Sequence, residues 1–121
     1  LYQMANGGLS ILIYASWMND KDLAAEEIKF RFKELNRIIF LDGYIDNNSF
    51  RGVRSQWYHS YGLDIALGYV YIADLWGAET PETLHYKLVN SGKIANLAIT
   101  DWQKFKSRKF TGPNRNALKG K

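Results

Sequence analysis

Cysteine is absent from this 121-residue chain, so neither a disulfide nor a thiolate metal site can form. That absence leaves the compartment open, because exported proteins also do without cysteine. No apolar run approaches the ~20 residues that span a bilayer. A signal peptide is not visible, and the first residue is Leu rather than Met. The chain is therefore read as a fragment or a processed form. Strand-rich stretches, a Gly-rich phosphate loop and a long internal repeat are all missing. No His, Asp and Glu residues fall at metal-ligand spacing, which predicts no metal and no cofactor. Asp42, Asp46 and Asp64 do not form a convincing pair of carboxyls flanking one glycosidic bond, as hydrolysis would require.

What is present is the composition of one folded domain, 46% hydrophobic and 23% charged. Aromatics are abundant, with four Trp, eight Tyr and six Phe, which suits either a deep core or a carbohydrate-contacting groove. Tyr2, Trp17, Trp57, Trp76 and Trp102 are candidates for stacking on sugar rings, against the plainer reading that they are core. The net charge of +4 hides an asymmetry. Lys104 to Lys121 holds seven basic residues and no acidic one, whereas residues 1–103 hold nine basic against twelve acidic. Residues 107–121 are read as a basic, flexible tail, either simply solvated or able to meet an acidic polymer.

Four helices are predicted. The first covers about residues 3–18; its Gly7-Gly8 pair costs roughly 1 kcal/mol per glycine against Ala and predicts close approach of another backbone. Asn19-Asp20 supplies a turn and a cap. The second helix covers about 21–40, with Leu23, Ile28, Phe32, Leu35 and Ile39 on an apolar face and Lys29, Arg31, Lys33, Glu34 and Arg37 over much of the rest. Residues 41–54 read as an extended loop or short strand. The third helix covers about 55–76. Past its first turn its charges are Asp64 and Asp74 alone, which predicts burial between neighbours, and Gly77 is its expected C′ residue. Thr80-Pro81-Glu82 predicts a cap, a proline at the first helical position and an acid in the first turn. The fourth helix then runs to about Phe105, with Leu84, Leu88, Ser91, Ala95, Ala98, Trp102 and Phe105 along one stripe. The fold class is all-α, built from antiparallel helix pairs over residues 1–106. Such pairs can close as a bundle or form an arc of a larger toroid or solenoid.

The chemistry concentrates in Arg51-Gly-Val-Arg54-Ser-Gln-Trp57-Tyr58-His59-Ser-Tyr61, where a polar loop becomes an apolar helix. Arginine grips a carboxylate with a bidentate fork. On a uronic acid that grip would acidify the C5 proton, and a tyrosine beside the cations could take that proton and protonate the departing oxygen. The alternative from the residues alone is structural. Tyr58 and Tyr61 are then core aromatics at helical spacing, Arg51 and Arg54 cap carbonyls or pair with Asp42 or Asp46, and His59 is a hydrogen-bonded structural histidine.

This run, followed by Gly-Leu-Asp-Ile-Ala-Leu, resembles the core motif of the alginate lyase family, the poly(β-D-mannuronate) lyases with the (α/α) toroid fold. Asp42-Gly-Tyr-Ile-Asp-Asn-Asn-Ser-Phe50 is loosely similar to a family loop, and Leu1 to Gly8 is similar to the helix that follows the family's Asn-Asn-His motif. The similarity covers roughly residues 1–77; Ser55-Gln56 departs from the family's Ala-Leu, and the Asn-Asn-His would fall just before Leu1. The resemblance implies a partial (α/α) toroid, a secreted or periplasmic protein, and β-elimination on an acidic polysaccharide. Arg51 would neutralise the carboxylate and Tyr58 would be the acid/base. Arg54, Trp57, His59 and Tyr61 would bind substrate, and further copies of the chain could complete the fold. The competing reading is a non-catalytic helical module for an acidic polymer, nucleic acid included, led by the basic tail.

Overall fold

The structure, a computed structural model, describes residues 2–46, 48–50, 54–101 and 103–104. It is all-α: α1 (Tyr2–Met18), α2 (Lys21–Ile38), a 3-10 turn (Asn48–Phe50), α3 (Ser55–Leu75) and α4 (Glu82–Thr100). The helix ends follow from local chemistry. Asn19 takes a left-handed φ of 52° after α1, and the Asp20 carboxylate then caps α2 by accepting from the Leu23 N–H at 3.1 Å. Gly77, at φ 84°, occupies the expected C′ position of α3. Its N–H bonds the Asp74 carbonyl at 2.8 Å and the Ala78 N–H bonds the Ala73 carbonyl at 3.1 Å, the paired bonds of a Schellman end. At α4 the expected register moves by one residue: Pro81 is the N-cap rather than the first helical residue, and no side chain caps it. The helix closes at Thr100, five residues short of the expected end.

α1 and α3 run parallel in one layer. Near their C-terminal ends, the Trp76 indole N–H donates to the Ser16 hydroxyl at 2.7 Å. α2 returns antiparallel to α1 and buries Ala24, Ile28, Phe32, Leu35 and Ile38, a helical stripe. These meet Leu12 and Ala15 of α1, Leu63, Ala66, Tyr69 and Ala73 of α3, and Leu84 and Leu88 of α4 in one core. Each large aliphatic side chain so buried contributes about 1.5–3 kcal/mol. α4 lies beside α2, where the Lys87 ammonium donates to the Asn36 carbonyl. α2 ends at Ile38, two residues short of the expected end, and residues 39–46 fold back as a tight turn at the start of the stretch 41–54 expected to be an extended loop or short strand. The Phe40 N–H donates to the Tyr44 carbonyl at 2.9 Å, and Ile39 and Ile45 form the isolated bridge among the described residues. Gly43, at φ 93°, is needed twice over, because a Cβ there would run into the Asn90–Ser91 backbone of α4.

Two expectations change. Arg31, expected outside the apolar face of α2, is buried. Its Nε donates to Glu27 at 2.9 Å, and the Tyr69 hydroxyl donates to the same carboxylate at 2.8 Å. Burial, with Glu27 beside it, pushes the Tyr69 phenol upward. Gly8 makes room for this network: a Cβ would fall on Arg31 Nε and within 2.6 Å of Glu27 Oε2, whereas Gly7 faces open space. The close approach is therefore to side chains, and at one glycine of the pair. Second, α3 is not sheltered all round. Trp57, Leu67, Tyr71 and Leu75 are exposed on the face turned away from α2. The uncharged α1 likewise exposes Ile13, Tyr14, Trp17 and Met18.

Candidate functional site at the start of α3

The Arg51–Tyr61 run is divided by the fold into an outward part and an inward part. Arg51 lies outside the described residues. Arg54 is the N-cap of α3, exposed, with no side-chain cap bond. Among the described residues the ion pairs are Arg31–Glu27 and Arg37–Glu34, so Arg54 pairs with neither Asp42 nor Asp46. α3 also carries no acidic residue in its first turn. A cation at the positive end of a helix dipole opposes the usual preference for acids there, and it leaves positive potential from both sources.

Trp57 and Tyr61, one turn apart, stack with ring centroids 5.3 Å apart and planes 11° from parallel. Trp57 is 60% exposed and Tyr61 38% exposed, so the pair forms an open aromatic ledge. Tyr58 is half-buried beside it, its ring 4.9 Å from Trp57 in edge-to-face contact. Arg54, Tyr58 and Tyr61 fall at i, i+4 and i+7, so they rise along one side of α3.

His59 points the other way and is fully buried. Its Nε2 lies 2.9 Å from the Ser91 carbonyl and its Nδ1 lies 2.8 Å from the Ser49 hydroxyl. A carbonyl only accepts, so Nε2 carries the proton and Nδ1 accepts from Ser49. The Ser49 oxygen in turn accepts from the Ile45 N–H at 2.7 Å. The relay is directional and suits a neutral imidazole. Burial holds the His59 pKa below its ordinary value, partly offset by the bond to Ser91. This is the structural histidine that the residues alone left open, and it does not reach the surface a polymer would touch.

Sequence reasoning missed Asn48, Ser49, Gly62 and Ser91. Asn48 is 2% exposed, and its amide donates to the Tyr58 carbonyl at 2.9 Å. Gly62 admits it, since a Cβ there would stand 2.6 Å from Asn48 Nδ2. Behind this turn, Tyr44 stacks on Phe50 and meets the His59 ring edge-on at 6.3 Å. Asn48-Ser49 read only as polar loop, and Ser91 as one member of an apolar stripe.

Of the remaining aromatics, Trp17 is 87% exposed at the far end of the α1–α3 layer. It lines a groove of about 580 Å³ with Ile13, Ile72, Leu75 and Trp76, remote from Tyr58. Trp102 and the basic tail, residues 107–121, lie outside the described residues. Among the described residues no three His, Asp or Glu side chains gather to hold a metal, and no helix is long and apolar enough to cross a membrane. No protein-family model, curated protein or solved structure matches the chain.

Proposed function

We propose that this chain forms part of a polysaccharide-lyase-like apparatus, an arc of an (α/α) toroid that works on a uronic-acid polymer by β-elimination. The observation that carries the reading is the outward strip at the start of α3. It sets Arg54, the Tyr58 phenol and the Trp57–Tyr61 ledge side by side at the positive end of a helix. In this reading the aromatic ledge takes the face of a sugar ring, and Arg54 takes a neighbouring carboxylate. Arg51 neutralises the carboxylate of the reacting uronate. The Tyr58 phenolate removes the C5 proton, the electron pair forms the C4–C5 double bond, the C4–oxygen bond breaks, and the proton passes to the departing oxygen. The layered pairing of α1 with α3 and of α2 with α4 suits an (α/α) arc.

Adding alginate or polyglucuronate should raise the ultraviolet absorbance of unsaturated uronate ends. Tyr58→Phe should abolish that rise with helicity intact, and full activity in Tyr58→Phe refutes the mechanism. Trp57→Ala should weaken polymer binding, while an exposed side chain of this kind changes stability by only about 0.5 kcal/mol.

A second reading, non-catalytic binding of an acidic polymer, is favoured by the burial of His59, which leaves cation and aromatic stacking as the surface chemistry. It predicts salt-sensitive binding that survives Tyr58→Phe and is lost when residues 104–121 are removed.

A further inference from the structure

Asn48 and Ser49 are consecutive in the 3-10 turn, and their partners Tyr58 and His59 are consecutive in α3. Asn48 Nδ2 reaches the Tyr58 carbonyl at 2.9 Å, and the Ser49 hydroxyl reaches His59 Nδ1 at 2.8 Å. Both pairs are ten residues apart in sequence. Two attachments at adjacent residues fix rotation as well as distance, which a single bond does not. A third bond, from His59 Nε2 to Ser91, ties the same point to the middle of α4. Asn48, Ser49, His59 and Ser91 are each at most 2% exposed, so the attachments are made in a low-dielectric interior where they are strong.

The placement of this clamp is informative. Asn48-Ser49-Phe50 directly precedes Arg51 in the chain, and Tyr58 stands in the opening turns of α3, whose N-cap residue Arg54 makes no side-chain cap bond. Helix ends fray. We propose that Asn48, Ser49 and His59 are positioning residues, a two-point clamp that holds the Tyr58 turn of α3 against the Asn48–Phe50 turn. The proposal rests on the lyase reading above, which assigns chemistry to Tyr58 and Arg51. The clamp touches neither polymer nor reacting atoms. Gly62 belongs to it, because only a residue without a Cβ leaves space for the Asn48 amide one turn above Tyr58. A displacement of about 1 Å between reacting groups costs up to ~100-fold in rate, so the clamp acts on turnover and not on affinity.

The test uses the full chain with polymannuronate and polyglucuronate, comparing wild type, Asn48→Ala and Gly62→Ala. In both variants kcat should fall about 10–100-fold while KM stays near the wild-type value, because Arg54, Trp57 and Tyr61 remain. Helical circular dichroism should be unchanged. In the wild-type NMR spectrum the Asn48 side-chain amide protons should exchange slowly, and Gly62→Ala should abolish that protection. An unchanged kcat in an active protein overturns the clamp and leaves the lyase reading standing. A rise in KM with kcat unchanged also overturns it, since Asn48 would then be acting in ligand binding. If Asn48→Ala does not fold, Gly62→Ala decides alone. A wild type that turns over neither polymer overturns the lyase reading, and with it the catalytic purpose of the clamp. Fast exchange of the wild-type Asn48 amide overturns the clamp whatever the activity.

Discussion

Gly7 and Gly8 are neighbours in α1, yet alanine at the two positions should change stability in opposite directions. In a helix interior Ala is favoured over Gly by about 1 kcal/mol. At Gly7 a Cβ meets nothing within 4 Å, so most of that gain should appear. At this chain length 1 kcal/mol corresponds to about 3–5 °C in Tm, and Gly7→Ala should melt about 2–5 °C higher by the same conversion. At Gly8 the new methyl would sit on Arg31 Nε, the atom that donates to Glu27 at 2.9 Å. The pair must open, although both side chains are only 7% exposed as residues. Breaking a buried ion pair costs about 3–5 kcal/mol. Less the helix gain, Gly8→Ala should lose about 2–4 kcal/mol, or roughly 6–20 °C. Urea and thermal unfolding followed at the helical circular dichroism band measure both variants. An Arg31→Met background, which removes the guanidinium, should return part of the alanine gain at Gly8. If Gly8→Ala is as stable as Gly7→Ala in the otherwise native chain, the buried network is not where the structure puts it.

Two more predictions concern buried titratable groups. His59 has a pKa in the folded protein below its unfolded value of about 6.5. The folded state therefore binds fewer protons than the unfolded state as pH drops below that value. Its contribution to stability is complete above about pH 6.5 and falls away toward the depressed folded pKa. The unfolding free energy measured by urea titration should decline over that window, and His59→Gln should be less stable overall but flatter with pH; an equal slope in both proteins would contradict the neutral, buried assignment. Tyr69→Phe removes a donor from the Glu27 carboxylate at 2.8 Å, so it should cost about 1.5–3 kcal/mol, the range for a hydrogen bond to a charged group. A loss below about 0.5 kcal/mol, within the usual scatter of surface changes, would mean that Arg31 alone satisfies that carboxylate.

The helices and their ends were legible because local chemistry decides them. Asp20 and Gly77 act through their own backbone neighbours, and the Ile28, Phe32 and Leu35 spacing marks one face whatever packs on it. Arg31 was misread because spacing places a residue on a flank without saying whether that flank is covered. Only the antiparallel approach of α1, with Gly8 opposite, turns the flank into an interior. α3 was misread in the converse way, since an apolar composition does not reveal that neighbours reach just part of the circumference. At the candidate site, the outward order Arg54, Trp57, Tyr58, Tyr61 is a matter of helical spacing and could be read. His59 lies on the same few residues, but its role depends on Ser49 and Ser91, the latter 32 positions away. No local pattern encodes a contact at that range.

The parallel layering of α1 and α3 also orders events in time. The Ser16–Trp76 bond joins residues 60 apart, whereas α1 meets α2 across the two-residue Asn19-Asp20 turn. Closing a 60-residue loop costs about 3.6 kcal/mol of chain entropy from its length-dependent part alone. That cost is not recovered until Gly8, Arg31, Glu27 and Tyr69 come together. The local contacts of each helical hairpin are therefore expected to form before the long-range contacts that join the two. Residues at the junction, Trp76 and Tyr69 foremost, should govern how fast the molecule comes apart more than how fast it first gains helix.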